Sequence, residues 1–361
     1  MVKKCKNMDN YEQKLTELLA LAISNNASDL HISVGHPPTI RVAGKLENVP
    51  GIDRLNHEDA RGIATALMTE KQQEEFLKNK EIDFSYSFLE HRFRVNVFTQ
   101  MGNVSCALRL VSTRIKTIEE LNLPSKLIEL TEHSQGLVLV TGPSSHGKST
   151  TLAAMIDQIN RNQFKRIITI EDPVEYIFQD DKSIIDQREV YHDTDSFAKA
   201  LKSVFRQDPD IIMVGEMRDP ETISTVITSA ETGHLVFSTL HTNSASETIH
   251  RIIDTFPGEQ QSQIRTQLAS ALLGIISQRL IPRKGGGIIP ACEIMTSTPA
   301  TANIIRENRV HELDFVIETS AEKGMISLNK SLADLIQRGE ISIDDALVYS
   351  RRPSELQEFV S

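Results

Sequence analysis

The 361-residue sequence has few cysteines and no long hydrophobic runs. Cys5, Cys106 and Cys292 are scattered without a C-x-x-C pair. This spacing is typical of a reducing cytosol and gives no support to a disulfide framework or a structural zinc site. Apolar runs such as "GLVLV" and "DIIMV" are far shorter than the roughly 20 residues that a membrane helix needs, and the polar start shows no secretory signal. We therefore expect a cytoplasmic protein whose association with a membrane is peripheral.

An excess of positive charge is also missing. The chain has 39 basic and 49 acidic residues, for a formal net charge of -10. Proteins that bind nucleic acid usually carry a basic excess, because neutralising phosphates supplies much of their affinity. The charge balance argues against a nucleic-acid partner, although it leaves a local basic patch possible.

The length and the apolar pattern predict two domains. Residues 1–112 have mixed helix and strand signals, so we predict a small α+β domain there. Residues 113–130 are polar, contain a proline and are predicted to be a linker with a short helix. Residues 131–361 contain short, continuously apolar segments separated by helical stretches, namely "GLVLVTG", "RIITIED", "DIIMVGE" and "HLVFSTLH". Such segments are typical of buried parallel strands in an α/β sheet, and the last part of the chain is predicted to form a helical cap.

Local patterns in the first domain give more detailed expectations. Residues 11–24 have helical spacing, and the stretch "HEDARGIATALMTEKQQEEFLKN" is predicted to be helical. Strands are expected at "IDFSYSF" and in "HRFRVNVFTQMGNVSCALRLV", with "MGN" as the turn, and "AGK" is predicted to be a hairpin turn.

A phosphate-binding loop is the strongest motif of the chain. The segment "GPSSHGKS", residues 142–149, fits G-x-x-x-x-G-K-[ST] between an apolar strand and a helix-forming stretch. In such loops backbone N–H groups and the helix N-terminus hold phosphates, the lysine reaches the β- and γ-phosphates, and the serine hydroxyl binds Mg²⁺. The residues predicted to bind the nucleotide are Gly142, Pro143, Ser144, Ser145, His146, Gly147, Lys148, Ser149 and Thr150. The alternative is a tight strand–helix turn that matches the pattern by chance.

Acidic residues follow two neighbouring predicted strands. Glu171, Asp172 and Glu175 come after "RIITI", and Glu216 comes after "DIIMVG". Ligands of open α/β sheets bind outside the carboxyl ends of the strands, where a carboxylate can orient water or help hold a metal. Gly215 stands where many P-loop enzymes have an aspartate. Helix capping or solvated loop acids are the alternative interpretation.

Two histidines, His234 and His241, flank the apolar segment "LVFSTL". Taken alone, such a pair is more typical of structural histidines than of ligands. A zinc site has little support, because no cysteine or carboxylate lies at ligand spacing.

Taken together and in this order, the phosphate loop, "TIEDPVEY", "VGEMRD" and "AETGHLVFSTLHTNSA" resemble the Walker A motif, Asp box, Walker B motif and His box of the secretion ATPase superfamily. Within it the chain is most similar to the type IV pilus retraction (twitching motility) ATPases. The resemblance implies a RecA-like P-loop ATPase domain preceded by a smaller PAS-like α+β domain. It further implies ATP and Mg²⁺ as cofactors, a homohexamer, and a pilus platform protein of the inner membrane as partner.

The resemblance also assigns roles to residues. It implies that Glu175 and Glu216 activate the attacking water and that His234 and His241 lie near the nucleotide. Mg²⁺ would be held by Ser149, Glu171 and Glu216, directly or through water. In the related ATPases, arginines from the N-terminal domain stabilise transition-state charge. The positions predicted to match them here are Arg94 and Arg109, for which a solvated strand edge is the alternative.

Departures from the family pattern leave two questions open. The tetracysteine zinc motif of the assembly ATPases is absent, which favours retraction. The segment 300–307, "ATANIIRE", lacks an isoleucine and an arginine that are typical of retraction enzymes, and "GEISIDDAL" resembles an accessory paralogue. A primary motor, an accessory motor that works with a paralogous retraction ATPase, and a low-turnover nucleotide-binding regulator therefore remain open, and a nucleic-acid motor is the alternative of a different class.

Overall fold

The computed structural model describes residues 2–42, 44–89, 91–111 and 114–360. Two compact units are formed, one by residues 1–113 with 173–177 and the other by residues 114–172 with 178–361. Residues 114–130, predicted to be a linker, belong to the second unit. The predicted boundary at residue 112 lies outside the described residues.

The described part of the first unit is a six-stranded antiparallel sheet with three helices. The strand order is β3-β2-β1-β6-β5-β4. The elements are α1 (Val2–Ser24), β1 (Asp29–Ile32), β2 (Thr39–Val42), β3 (Lys45–Asn48), α2 (His57–Leu67), α3 (Glu70–Asn79), β4 (Glu81–Phe88), β5 (His91–Gln100) and β6 (Asn103–Val111). Alternation along β5 buries Phe93, Val95 and Val97 against the helices, because successive side chains of a strand point to opposite faces. The predicted α+β class of this region is confirmed.

Turn chemistry explains where these elements end. The turn predicted at "MGN" consists of Met101 and Gly102, because Asn103 already begins β6. Both turn residues have positive φ, which a type I′ hairpin requires at both positions. The helical stretch predicted over 57–79 is two helices. Met68 adopts an extended conformation and Thr69 caps α3 by accepting the N–H of Gln72, and such a cap begins a new helix. The predicted "AGK" turn includes Ala43, which lies outside the described residues.

The second unit is built on a seven-stranded sheet covered by helices. Its strand order is β13-β12-β7-β11-β10-β8-β9, and every neighbouring pair is parallel except β12 with β13. The strands are β7 (Gly136–Thr141), β8 (Arg166–Glu171), β9 (Ile184–Glu189), β10 (Ile211–Val214), β11 (Leu235–Leu240), β12 (Leu272–Pro282) and β13 (Ile288–Thr296). The four strands predicted from the sequence are β7, β8, β10 and β11, so the predicted parallel α/β sheet is confirmed.

Helices cover this sheet. They are α4 (Lys126–Thr131), α5 (Lys148–Asn162), α6 (Phe197–Val204), α7 (Pro220–Glu231), α8 (Ala245–Asp254), α9 (Gly258–Ala271), α10 (Pro299–Arg306), α11 (Leu313–Thr319), α12 (Leu328–Gln337), α13 (Ile343–Tyr349) and α14 (Pro353–Val360), with 3-10 turns at Val310–Glu312 and Ala321–Lys323. Leu328, Leu332 and Leu335, whose spacing predicts a helix, are buried in α12 beside Ile281 of β12. Among the described helices, none combines the length and the apolar character that crossing a membrane requires.

Burial of β11 at the centre of the sheet yields a stability prediction. Phe237 is fully buried there, so Phe237→Ala should lower the free energy of unfolding by about 3–5 kcal/mol through lost burial and the cavity it leaves. The control is Phe164→Ala, since Phe164 is 83% exposed and its truncation should change stability by no more than about 0.5 kcal/mol. Chemical denaturation monitored by circular dichroism measures both, and equal effects would contradict the central placement of β11.

Candidate active site

The loop between β7 and α5 passes through positive φ at three positions. Gly142 has φ 148°, Ser145 φ 64° and Gly147 φ 80°. A Cβ on Gly142 would lie 2.5 Å from the carbonyl oxygen of Gln278 on β12, and one on Gly147 would lie 2.9 Å from the Gln278 side-chain nitrogen. Both glycines are therefore required by their φ and by close packing, and the loop is pressed against β12.

Ser145 takes the left-handed conformation with a side chain that disfavours it. A left-handed residue other than glycine costs about 1–2 kcal/mol, so the tip of the loop is mildly strained. The side chain of Ser145 is exposed. The strain belongs to the backbone that connects the two glycines.

Lys148 lies under the loop that precedes it. Its side chain is buried, and its Nζ donates hydrogen bonds of 2.9 Å to the carbonyl oxygens of Gly142 and Pro143. Ser149 and Thr150 follow in the first turn of α5 and are half-buried. Because the N-terminus of a helix carries unpaired N–H groups and a partial positive charge, this arrangement suits an anionic ligand.

Glu216 lies two residues beyond β10, at the same edge of the sheet. Gly215 before it is fixed on both sides, because its N–H donates to the Ile170 carbonyl at 2.8 Å and its carbonyl accepts from Thr239 Oγ1 at 2.6 Å. The Glu216 Oε1 atom forms a 2.5 Å ion pair with Arg218. Its Oε2 atom is buried and has no hydrogen-bond partner among the described residues.

His241 connects this carboxylate with the loop. Its Nδ1 lies 3.5 Å from Lys148 Nζ and 3.4 Å from Ser144 Oγ, and its Nε2 lies 3.5 Å from Glu216 Oε2 without hydrogen-bond geometry. An ammonium group can only donate, so in its contact with Lys148 the Nδ1 atom accepts. The structure thus brings together Ser144, Lys148, Glu216 and His241.

Glu171 ends β8 and is already engaged by neutral donors. Its Oε1 accepts hydrogen bonds from Thr169 Oγ1 at 2.6 Å and from Gln187 Nε2 at 3.1 Å. Burial together with these bonds fixes the carboxylate at the same strand edge as Glu216. Whether it takes part in holding a metal stays a prediction.

His234 lies at the other end of β11. It precedes the first residue of the strand, whereas His241 follows the last, so six strand residues and roughly 20 Å separate the two. The ring of His234 packs edge-on against Phe205, and its Nδ1 lies 3.1 Å from the Ser229 carbonyl. The structure therefore does not bring His234 to the phosphate loop of its own unit, because the side chains that flank one extended strand occupy opposite edges of the sheet.

Three predicted site residues belong to the first unit. Arg94 and Arg109 lie opposite each other on β5 and β6, and Arg109 donates from Nε to Asp29 Oδ1 at 2.9 Å. Although burial alone would raise the pKa of Asp29, hydrogen bonds from Ser28 and Arg109 lower it below its ordinary value. Glu175 lies in the exposed part of the segment 173–177. Their roles at a nucleotide stay predictions.

Sequence reasoning missed Gln278. It lies on β12, which was not among the predicted strands, and its side chain contacts both His146 and Thr151. The available signal is a polar pair, Gln278 and Arg279, inside the apolar run "LLGIISQRLI", since a polar residue within a buried strand needs a hydrogen-bond partner.

The site fits a nucleotide and a divalent cation by its own chemistry. Gly142 and Gly147 form a close-packed backbone loop at a helix start, which is the arrangement that binds phosphates. The orphaned Oε2 of Glu216 and the Ser149 hydroxyl are hard oxygen donors of the kind that Mg²⁺ prefers.

The strain at Ser145 generates a prediction. We expect Ser145→Gly to leave ATP binding intact and to change turnover modestly, because glycine adopts φ 64° without the steric penalty. Binding of a fluorescent ATP analogue and phosphate release measure the two quantities. The control is Gly142→Ala, which should lose binding because its Cβ would meet the Gln278 carbonyl. A large loss of binding in Ser145→Gly would contradict the prediction.

Comparison with known proteins identifies the family of this chain. The family model of type II/IV secretion system proteins matches residues 5–312. The chain is 44% identical to the type IV pilus retractation ATPase PilT of Pseudomonas aeruginosa over 94% of its own length and 98% of that protein. It is 41% identical to a twitching motility protein of Neisseria gonorrhoeae over 90% of its length and 86% of that protein.

The fold has a close counterpart as well. A crystal structure of the pilus retraction motor PilT with bound ADP superposes with a TM-score of 0.89 and 46% sequence identity, covering 95% of this chain and 98% of that one. The resemblance carried by the four motifs and the RecA-like class of the second unit are thereby confirmed. The chain belongs to the family of type II/IV secretion system proteins, the secretion ATPases.

Proposed function

We propose that this chain is an ATP-hydrolysing motor that powers the retraction of type IV pili. The observation that carries the proposal is the buried Oε2 of Glu216, which has no hydrogen-bond partner among the described residues and faces Lys148 across His241. A carboxylate oxygen at the edge of a phosphate site is the acceptor that ATP hydrolysis requires. The chain is similar to a pilus retraction ATPase and to a twitching motility protein, so we infer that the energy of ATP hydrolysis drives movement of the pilus.

Phosphate binding follows from the loop and the start of α5. Lys148 Nζ exchanges its bonds with the Gly142 and Pro143 carbonyls for phosphate oxygens, and the N–H groups of Gly147 to Thr150 add the helix N-terminus. In the new bonds both the ammonium donor and the phosphate acceptor are charged, so they are stronger than the bonds to neutral carbonyls that they replace.

Glu216 is the residue that would activate the attacking water. Its Oε2 accepts a proton or a hydrogen bond from the attacking water, while the ion pair of Oε1 with Arg218 keeps the carboxylate oriented. His241 lies between this oxygen and the loop, with Nε2 3.5 Å from Glu216 Oε2 and Nδ1 3.5 Å from Lys148 Nζ. Glu175 is a second candidate for orienting water.

The bound metal and the arginines would balance negative charge. Mg²⁺, when bound, would neutralise part of the negative charge of the phosphates. Ser149 would hold it directly, and Glu171 and Glu216 would hold it through water. Arg94 and Arg109 would stabilise the charge of the transition state, and the Asp29 carboxylate, bonded to Nε of Arg109, would orient its guanidinium.

The assembly is proposed on family grounds. The chain would act as a homohexamer in the cytoplasm, attached peripherally to the inner membrane through a pilus platform protein and working with a paralogous retraction ATPase where one is present. His234, distant from the loop of its own unit, would contribute to packing.

The catalytic role of Glu216 yields a prediction. Glu216→Gln preserves shape but removes the basic oxygen, so kcat should fall about 10²–10³-fold while affinity for a non-hydrolysable ATP analogue changes less than about threefold. The control is Glu221→Gln on the exposed face of α7, which should keep wild-type kcat. Wild-type turnover in Glu216→Gln would exclude it as the water-activating group.

The motor function yields a prediction for pilus retraction in cells. In a strain lacking this protein, wild type and the exposed control Lys199→Ala should restore retraction, whereas Lys148→Ala should not. Full rescue by Lys148→Ala refutes the motor function. ATPase activity stimulated strongly by DNA, but not by pilus components, would favour the nucleic-acid motor instead.

A further inference from the structure

A glutamine on β12 joins the phosphate loop to the helix that follows it. Gln278 is buried, and its Oε1 accepts a 2.7 Å hydrogen bond from Thr151 Oγ1 of α5. Its Nε2 donates a 2.8 Å bond to the backbone carbonyl of His146 at the loop tip. A carbonyl can only accept, so the orientation of the amide is determined by its partners.

The side chain of His146 also contacts β12. His146 Nδ1 accepts a 2.9 Å hydrogen bond from the backbone N–H of Leu280. Since an amide N–H can only donate, Nδ1 carries the lone pair and the proton of the neutral ring is on Nε2. The ring also packs edge-on against Tyr349 of α13, with 6.5 Å between centroids.

These bonds occur where the pairing of β12 with β7 stops, while its pairing with β13 continues. β12 pairs with β7 as far as Ser277 with Thr141, and the chain of β7 then turns away into the loop. The next stretch of β12 would expose an unpaired backbone donor toward the loop, which the His146 ring satisfies. A buried N–H without a partner is unfavourable by about 1–3 kcal/mol, so the bond holds loop and strand together.

We propose that His146 and Gln278 are positioning residues that fasten the tip of the phosphate loop to β12 and thereby hold it in the shape that binds nucleotide. This inference rests on the proposed nucleotide site and adds two residues to it. Neither side chain needs to contact phosphate. Their effect is to preorganise the backbone N–H groups between Gly142 and Lys148, so that binding does not have to order them.

Protonation of His146 would release one of the two bonds. The charged or titratable groups that face its ring are Lys148 beside the loop, Arg279 on β12 and Tyr349 on α13. Burial, Arg279 and Lys148 lower the pKa of His146 below 6.5. The bond is therefore present at neutral pH, and its contribution is lost as the pH falls from about 6.5 through the lowered pKa of the folded protein.

The test compares two substitutions of His146. In His146→Asn, the amide oxygen can occupy the place of Nδ1 and accept from Leu280 without titrating, whereas His146→Leu has no acceptor. At pH 7.5 we expect His146→Leu to weaken binding of a fluorescent, non-hydrolysable ATP analogue about tenfold, in line with the loss of one hydrogen bond. His146→Asn should recover binding to within about threefold of wild type. KM for ATP should follow these affinities, while kcat at saturation should change less than about twofold.

The pH profile separates positioning from general packing. Affinity of the wild type should fall between pH 7 and pH 5.5 more steeply than that of His146→Asn. A parallel decline in both proteins would overturn the role of the Nδ1 bond. Equal binding by His146→Leu and His146→Asn would overturn it as well. The melting temperature of each variant is measured alongside its binding. If His146→Leu has a folding defect, the pH profile of His146→Asn against that of the wild type is the deciding measurement.

Gln278 is tested by coupling. Gln278→Met keeps the length of the side chain and removes both hydrogen bonds, and Gln260→Met on the exposed surface of α9 is its matched control. We expect Gln278→Met to weaken binding about tenfold. The double variant with His146→Leu should weaken binding more than either single variant, but by less than the product of the two single effects, because both substitutions act on one loop tip. Independent, fully multiplicative effects would overturn a shared role.

Failure of this inference is distinguishable from failure of the proposed function. Lys148→Ala is measured in the same binding assay. Loss of binding in Lys148→Ala with wild-type binding in His146→Leu and Gln278→Met overturns the positioning role and leaves the nucleotide site intact. Wild-type binding in all three overturns the nucleotide site itself.

Discussion

Close packing of the phosphate loop on β12 is the constraint on which the site depends. The carbonyl of Gln278 approaches Gly142 so closely that a Cβ there would lie 2.5 Å away. This contact, with the side-chain bonds to His146 and Thr151, determines where the loop leaves the sheet and where α5 begins. Lys148, the first residue of α5, then lies directly beneath the loop carbonyls. β12, although it comes much later in the sequence, therefore determines the conformation of the phosphate loop.

The parallel sheet supplies the remaining groups. Because parallel strands end at the same edge, Glu171 at the end of β8, Glu216 after β10 and His241 after β11 lie at one side of the second unit. Hydrogen bonds between the strand ends, such as Thr239 to the Gly215 carbonyl, then set the direction of Glu216. One carboxylate is satisfied by neutral donors and the other keeps a buried oxygen without a hydrogen bond, so the two acids are suited to different tasks.

Much of this fold was predictable from local pattern. The apolar segments of β7, β8, β10 and β11, the alternation along β5 and the glycine-containing turn at Met101–Gly102 all depend on neighbouring residues only. The break between α2 and α3 was missed, because Thr69 can cap a helix or continue one and the choice depends on packing. β12 was missed because an apolar run that carries Gln278 and Arg279 is locally ambiguous between strand and helix.

The sequence by itself determined the chemistry of the loop, since the spacing of Gly142, Gly147, Lys148 and Ser149 is a property of consecutive residues. It also determined which strands carry acids at their ends. Tertiary structure alone decided which distant groups meet, because Gln278 reaches His146 across 132 positions and His241 reaches Lys148 across 93. It also brought His241 to the phosphate loop, whereas the separation of His234 from His241 already follows from the strand predicted between them, because the two ends of a strand lie at opposite edges of a sheet.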